Sequence, residues 1–432
     1  MRATHFTCAA AVLVGLLVAA RTALAQATPQ LDAAPAQILR QEIEQLRREF
    51  EARLAGLESR LAAVEGRPAG AARGQPTADV PAGAQGAGGP SGSLPVYGGA
   101  AAASKIFNPD MAVIGDFLGA AGRNRIRADP AFQMHESEVS LQAIVDPYAR
   151  ADFFLSFGEE GVGLEEGYLT LTQLPGGLLT KVGKMRAAFG KVNGLHNHVL
   201  PWTDRPLVIN NLVGGEDGID DAGLSVARLV PNPWMFLEAT GQVFRGDSGE
   251  SLFRSSQRGD VSYVGHLRGY QDLSESTNLD LGFSYSHGHN PSGIVGDVDI
   301  GRFTTNLYGV DATLRWRPLR RSIYRSFIGR TEIIWSRRDQ FEGLQSGTGY
   351  YVSGDYQFAR RWFAGLRYDR SNRAEDASLL DTGGSAVLTY WPSEFSQVRG
   401  QYRRTNYAIG PAANEFLFQF QFAIGAHGAH PF

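Results

Sequence analysis

Closely spaced histidines are the first residues whose type and spacing could do chemistry: His196 with His198 and His287 with His289, each two apart, and His427 with His430 near the end. Neutral imidazole is a ligand for Zn²⁺ and related ions, so two such loop pairs on one side of a fold could share a metal. No Asp, Glu or Cys stands at a diagnostic spacing from them, and ordinary surface histidines are the competing reading. The second constellation lies in segment 186–220, RAAFGKVNGLHNHVLPWTDRPLVINNLVGGEDGID, with Arg186, Lys191 and Arg205 in its first part and Glu216, Asp217 and Asp220 near its end. Opposed charges set across a narrow passage orient dipolar solutes and sort ions; a solvated surface loop would carry the same residues idly. No nucleophile elbow, Gly-rich phosphate cradle or paired metal-ligand motif stands out, so neither an enzyme nor a cofactor is expected. A membrane-embedded phospholipase is the enzyme class to test first, because it shares barrel architecture.

The elements that must position these residues follow from the rest of the chain. It has 432 residues, 52 of them Gly, with 10% aromatic and 20% charged residues and a formal net charge of −3. Mean hydropathy is −0.19. That charge gives no nucleic-acid signal, and beyond the N-terminus no apolar run approaches the ~18 residues a membrane helix needs. Residues 1–25 read as a cleavable signal peptide: Arg2, an apolar stretch from Cys8 to Ala20, then Ala23-Leu24-Ala25. Removing them removes Cys8, the only cysteine, which suits an oxidising envelope compartment. Residues 36–65 read as a helix with Leu39, Ile43, Leu46, Phe50, Leu54, Leu57, Leu61 and Val64 three or four apart, a heptad seam with one stutter. So narrow an apolar stripe is expected to self-associate as a short coiled coil. Residues 66–104 are Gly, Ala, Pro and polar residues without periodicity, a flexible linker.

From 105 to 432 apolar and polar residues alternate with period two. Phe416, Phe418, Phe420, Phe422 and Ile424 share a face opposite Gln419 and Gln421; Tyr308, Val310, Ala312, Leu314 and Trp316 oppose Asp311, Thr313 and Arg315; Phe153 and Phe157 oppose Asp152 and Ser156. Sixteen candidate strands result, within a range of fourteen to eighteen. Short links at 146–147, 174–177, 231–233, 274–276, 317–321, 359–361 and 392–393 alternate with longer ones near 119–132, 186–220, 246–259, 288–301, 339–345, 371–381 and 406–413; 159–162 is a short exception. Short turns on one side, long loops on the other and Tyr and Trp at strand ends predict an all-β, transmembrane antiparallel barrel of about 16 strands. A barrel that size encloses more volume than its side chains fill, and this chain is too short to add a separate plug domain to a larger one. Period-two phasing places Arg150, Arg268, Arg315, Arg330, Arg367, Arg399 and Arg403 inside with Asp152, Asp311, Glu332, Asp355 and Asp369, a mildly basic lumen unless neighbours pair across the wall.

The stretch Glu138-Val-Ser-Leu-Gln-Ala-Ile-Val-Asp-Pro-Tyr148, the segment Gly183-Lys-Met-Arg-Ala-Ala-Phe-Gly-Lys191, the helix 39–64 and the terminal Phe432 resemble the outer-membrane porins of the phosphate-selective porin O and P type, closest to relatives with an N-terminal periplasmic coiled coil. That resemblance implies a Gram-negative outer-membrane location in lipid, a homotrimer, Phe432 as a signal to the barrel-assembly machinery, and passive diffusion of small hydrophilic, often anionic, solutes through a water-filled channel. Phosphate selectivity is not carried over: the family's lysine-lined pore is reduced here to Lys105, Lys181, Lys184 and Lys191 after the linker. The expected constriction comprises Arg186, Lys191, Arg205, Glu216 and Asp217, with Arg315, Arg399 and Arg403 on the wall. Two other roles stay open: a metal- or nutrient-linked channel using His196 and His198, and a structural tether between membrane and cell wall.

Overall fold

A computed structural model describes residues 109–425, apart from Ala128, Glu159, Glu160, Glu250, Gly296 and Asp297. The expected signal peptide, coiled coil, linker, His427, His430 and Phe432 lie outside the described residues.

Alternating residues pair into strands where they were expected. In chain order these are β1 (Asp110–Arg123), β2 (Phe132–Asp146), β3 (Ala149–Gly158), β4 (Gly161–Leu174), β5 (Leu178–Arg186), β6 (Asp220–Leu229), β7 (Phe236–Phe244), β8 (Ser262–Ser274) and β9 (Thr277–His289). A two-residue hairpin, β10 (Ile294–Val295) with β11 (Val298–Asp299), sits in a connector outside the barrel. The wall continues with β12 (Thr304–Trp316), β13 (Ser326–Arg338), β14 (Gln345–Ala359), β15 (Trp362–Asn372), β16 (Leu380–Ser393), β17 (Ser396–Asn406) and β18 (Ala413–Gly425). Sixteen strands form one closed barrel in sequence order, β9 pairing with β12 past the small hairpin. Closure is made by β1 against β18, antiparallel from Ala112↔Gly425 to Arg123↔Asn414. Closure leaves no strand edge, the condition a sheet must meet in hydrocarbon.

The connectors alternate as expected except that two on the short-turn side, 230–235 and 317–325, are longer than the expected 231–233 and 317–321. Links 147–148, 175–177, 275–276, 360–361 and 394–395 are tight, while 187–219, 245–261 and 290–303 are long. The short link between β16 and β17 falls two residues later than expected, because β16 continues through Pro392 to Ser393. Among the described residues no helix is long and apolar enough to cross a membrane.

The wall's two faces differ chemically. Outward, Phe283, Tyr308, Val352, Leu366, Leu388, Phe416 and Ile424 are exposed; between them, inward, Ser284, Ser286, Ser353, Arg367, Thr389, Gln419 and Gln421 are buried. Outward aromatics gather at two heights. Tyr263, Tyr285, Tyr308, Trp335, Tyr368 and Tyr402 stand near the long-loop ends of their strands, and Tyr148, Trp234, Tyr356 and Trp362 near the short-turn ends. Two aromatic girdles flanking an apolar band fit a bilayer and its interfaces. A soluble protein could not keep so large an apolar surface in water.

Phe418, near the middle of β18, faces outward. Phe418→Arg is expected to lower folding stability in lipid vesicles by about 2–4 kcal/mol. A folding titration in urea with vesicles present, read by tryptophan fluorescence, measures the loss.

Candidate functional site

The connector between β5 and β6, residues 187–219, turns into the barrel and crosses it. Its apolar residues are spaced irregularly, yet Phe189, Val192, Leu200, Trp202, Val208, Ile209, Leu212, Val213 and Ile219 are all buried. They pack on wall side chains that point inward despite being apolar: Tyr168, Phe244, Val264, Leu307, Ile334 and Tyr351. The Trp202 and Tyr351 rings meet edge-on, with centroids 5.3 Å apart. Each large side chain so buried contributes about 1.5–3 kcal/mol, enough collectively to overcome the entropy of ordering a long loop. Short helix α1 (Leu207–Leu212), with Pro206 as its N-cap, presses this apolar face onto the wall.

Polar anchors set the loop's position. Asn193 clamps its two ends: Nδ2 donates to the carbonyls of Ala187 and Ile219, and Oδ1 accepts from the Ile219 amide at 2.8 Å. Gly218, at φ +63°, faces that clamp, and a Cβ there would lie 2.1 Å from Asn193 Oδ1. Glu332 of β13 accepts from the amides of Lys191 and Val192. Gly190, at φ +60°, lets the chain come this close, since a Cβ would sit 1.7 Å from Glu332 Oε1. Elsewhere the Ala188 amide donates to Gln242, Gly190 to Ser284, Thr203 to Gln401 and Leu207 to Asp369. The loop is therefore held by β7, β9, β13, β15 and β17, a span across the whole lumen.

Charge is distributed in three places. Arg205 donates from Nη1 and Nη2 to the carbonyls of Val192 and Leu195 and from Nε to Asn197. Burial and the nearby Arg186 charge bring Arg205 down to about 10. Asp204 joins Arg367 at 2.8 Å and Arg403 at 3.0 Å. Burial pushes the Asp204 carboxyl up, but these two guanidiniums outweigh it and hold it at about 2. Together with Arg127, Asp129, His135, Glu216 and Asp116 these residues border a cavity of about 260 Å³ between the loop and the wall. A hydrogen bond from His135 holds the Glu216 carboxyl below its ordinary range.

Toward the short-turn end, three cations share Asp280. Lys191 Nζ lies 3.1 Å from it, Arg268 2.7 Å and Arg315 3.7 Å. Burial brings the Lys191 ammonium below its usual value in spite of Asp280.

The third place is a cluster of carboxylates and imidazoles, and two β-bulges make it. In the β1–β2 ladder Asp116 pairs with Glu136 and Phe117 with Met134, leaving His135 as an extra residue. In the β3–β4 ladder Phe154 pairs with Glu166 and Leu155 with Leu164, leaving Glu165 extra. A bulge re-aims side chains, and here consecutive residues of one strand turn inward: His135 with Glu136, and Glu165 with Glu166. His196 enters between them, Nδ1 at 2.7 Å from Glu138 and 3.0 Å from Glu165, Nε2 at 2.7 Å from Glu166. His198 follows, its ring 5.6 Å from that of His196. Burial alone would push the His196 imidazole down; Glu138, Glu165 and Glu166 raise it well above its ordinary value.

The expected constriction residues thus separate. Arg205, Glu216 and Arg403 border the 260 Å³ cavity, while Arg186 and Asp217 border a second one of about 400 Å³ with Lys184, Asp220 and Arg245. Arg186 donates to the Asp217 carbonyl at 2.9 Å and lies 3.5 Å from Glu165. Lys191 and Arg315 meet at Asp280, and Arg399 donates to Gln419 and to the Trp202 carbonyl. Several inward arginines do pair with neighbours on the wall, Arg150 with Asp152 within β3 and Arg330 with Asp355 on the next strand among them. His196 and His198 are joined by Glu136 and Glu138, not by the other loop pair: His287 contacts Asn306 and His289 contacts Asp299. Sequence reasoning missed Asp204, His135 and the four glutamates. Glu165-Glu166 and His135-Glu136 were visible signals, because a charged doublet interrupts the alternation at each bulge.

No protein-family model matches the chain. An uncharacterized protein of Aquifex aeolicus is 30% identical over 389 residues, covering 76% of this chain and 81% of its own. Among solved structures, OprB of Pseudomonas putida superposes with a TM-score of 0.53 at 12% identity, covering 74% of this chain and 95% of its own. An anion-selective porin from Comamonas acidovorans gives 0.51 at 12% identity, with 73% and 99% covered. At such identity the likeness shows the fold alone: a closed β-barrel like those of these porins.

Asp204→Ala removes the carboxylate that two guanidiniums share, although Asp369 and Glu415 still partner them. It is expected to weaken loop docking by about 1–3 kcal/mol, read as faster amide exchange over 199–207. Because the folded Asp204 carboxyl is depressed, its contribution is present above about pH 4 and lost as the pH falls through about 2. Exchange rates of the wild type and Asp204→Ala should converge on that acid limb.

Proposed function

We propose that this chain, which belongs to the same family as the uncharacterized Aquifex aeolicus protein, is an outer-membrane porin that passes small hydrophilic solutes by diffusion beside the inserted loop. One observation carries the reading: a closed barrel with a lipid-compatible exterior holds, inside, a charged cavity edged by the loop. Arg127, Asp204, Arg205, Glu216 and Arg403 border that cavity, and charges of both signs across so short a distance orient dipolar solutes. The loop narrows the lumen and sets a size limit. A homotrimer in the outer membrane is the assembly this role would use.

A mild anion preference arises at the short-turn end. Lys191, Arg268 and Arg315 gather at Asp280, and the Arg315 side chain stays 23% exposed. A guanidinium in that state suits passing carboxylates or phosphates.

Planar-bilayer recordings in salt gradients test both parts. Discrete conductance steps are expected from the wild type, with reversal potentials on the anion side. Arg315→Ala should shift permeability toward cations roughly twofold, the effect of ~0.4 kcal/mol at a partly hydrated charge. Replacing residues 191–215 by a short Gly-Ser linker should raise unitary conductance severalfold. Absence of steps in the wild type would refute the channel; unchanged reversal in Arg315→Ala would refute the anion filter alone.

A further inference from the structure

The bulge-built cluster crowds four carboxyl groups around two imidazoles. Glu136, Glu138, Glu165 and Glu166 all point into it, against the guanidinium of Arg186. Glu136 is 6% exposed, no nitrogen donor reaches either of its oxygens, and its carboxyl lies against that of Glu165. Two buried carboxyls side by side ionise together only when a cation joins them, so the site suits a positive occupant.

We propose that Glu136, Glu138, His196 and His198 bind one divalent first-row transition-metal ion, of which Zn²⁺ is the fitting example, and that this ion fastens the loop to β2. One ligand atom from each of these four residues lies within 4.8 Å of all the others, and all four residues are buried. Two imidazoles with two carboxylates form a donor set of borderline softness, which suits Zn²⁺, Co²⁺ or Fe²⁺ better than the oxygen-preferring Mg²⁺ or Ca²⁺. The surroundings of His196 fit the same role. Its Nε2 lies 2.7 Å from Glu166, so a metal ion on Nδ1 would take the place of the proton that bridges Nδ1 to Glu138 and Glu165. A carboxylate behind a ligating histidine orients the ring and raises its basicity. Phe154 packs against the His196 ring at 5.2 Å and closes the apolar side. In the other His-carboxylate group, Asp260, His289 and Asp299, the carboxylates already have partners: Arg302 pairs with Asp260 and Ser256 donates to Asp299.

Full-length protein purified in detergent and stripped with EDTA should bind one Co²⁺ per chain. Visible d–d bands should show low coordination number and nitrogen ligands, and added Zn²⁺ should abolish them. Glu136→Gln keeps the side-chain volume and is expected to weaken Co²⁺ at least about tenfold; His198→Ala should remove the bands. His289→Ala should bind as the wild type does. Heat-modifiable gel migration checks that each variant is folded. Wild type that takes up no Co²⁺ at millimolar concentration would overturn the proposal and leave a protonated His196 and Arg186 as the cations among these carboxylates. So would uptake that persists in folded Glu136→Gln and His198→Ala, or that disappears in His289→Ala. These readouts involve no conductance, so they stand or fall apart from the channel reading.

Discussion

The pairing of β1 with β18 is the constraint on which the rest depends. Backbone groups facing hydrocarbon have no solvent to fall back on, so a sheet exposed to lipid is viable only when its last strand finds its first. The register of that seam, from Ala112↔Gly425 to Arg123↔Asn414, settles which side chains face outward around the circle. In β18 it sends Phe416, Phe418 and Phe420 out and brings Glu415, Gln419 and Gln421 in. Polar residues are thereby committed to the lumen, where they must find partners in water, in each other or in an inserted segment.

The inserted segment is the unusual part of the solution. A polar-lined tube gives an apolar loop no reason to enter, and this wall is not uniformly polar. Leu307, Ile334 and Tyr351 point inward and are fully buried in one cluster with Val208, Ile209 and Trp202. The protein thus has two apolar surfaces of opposite sense, one outside against lipid and one inside against its own loop. The charges nearby serve the docking of that loop as much as any passing solute. Asp204 holds Arg367 and Arg403, and Arg399 holds the Trp202 carbonyl. The passage is what remains beside this packed strap.

Sequence periodicity reports the barrel well because every wall strand repeats the same two-residue rule, and connector lengths report it a second time. Strand number, alternation of links and the special status of segment 186–220 were all legible on those grounds. Fates of individual charges were not. Arg205 looks like a pore residue by type, yet three of its donors are spent on the loop's own Val192, Leu195 and Asn197. That outcome depends on how the loop coils, which no local pattern encodes. The bulges at His135 and Glu165 escaped for a different reason: a bulge is a property of two paired strands, and phasing one strand at a time assigns alternate faces to residues that share one. Inward Leu307 and Ile334 were hidden similarly, since a lumen-facing apolar residue looks like an error in alternation until its partner in the loop is known.

These two irregularities share a cause, and it bears on how the site could arise. A barrel strand can lose its alternation at little cost only where something other than lipid or bulk water receives the misplaced side chain. The inserted loop is such a receiver. On one side it offers an apolar face to Leu307, Ile334 and Tyr351; on the other it offers His196 and His198 to the doubled carboxylates of β2 and β4. Gly190 and Asn193 then fix which face meets which wall, through the Glu332 contact and the clamp on Ala187 and Ile219. Departures from period two in the wall are therefore a map of the loop's underside. In a relative of this chain, a charged doublet in β2 or β4 accompanied by histidines in the β5–β6 connector would mark the same contact, and its loss from one partner should be matched by loss from the other.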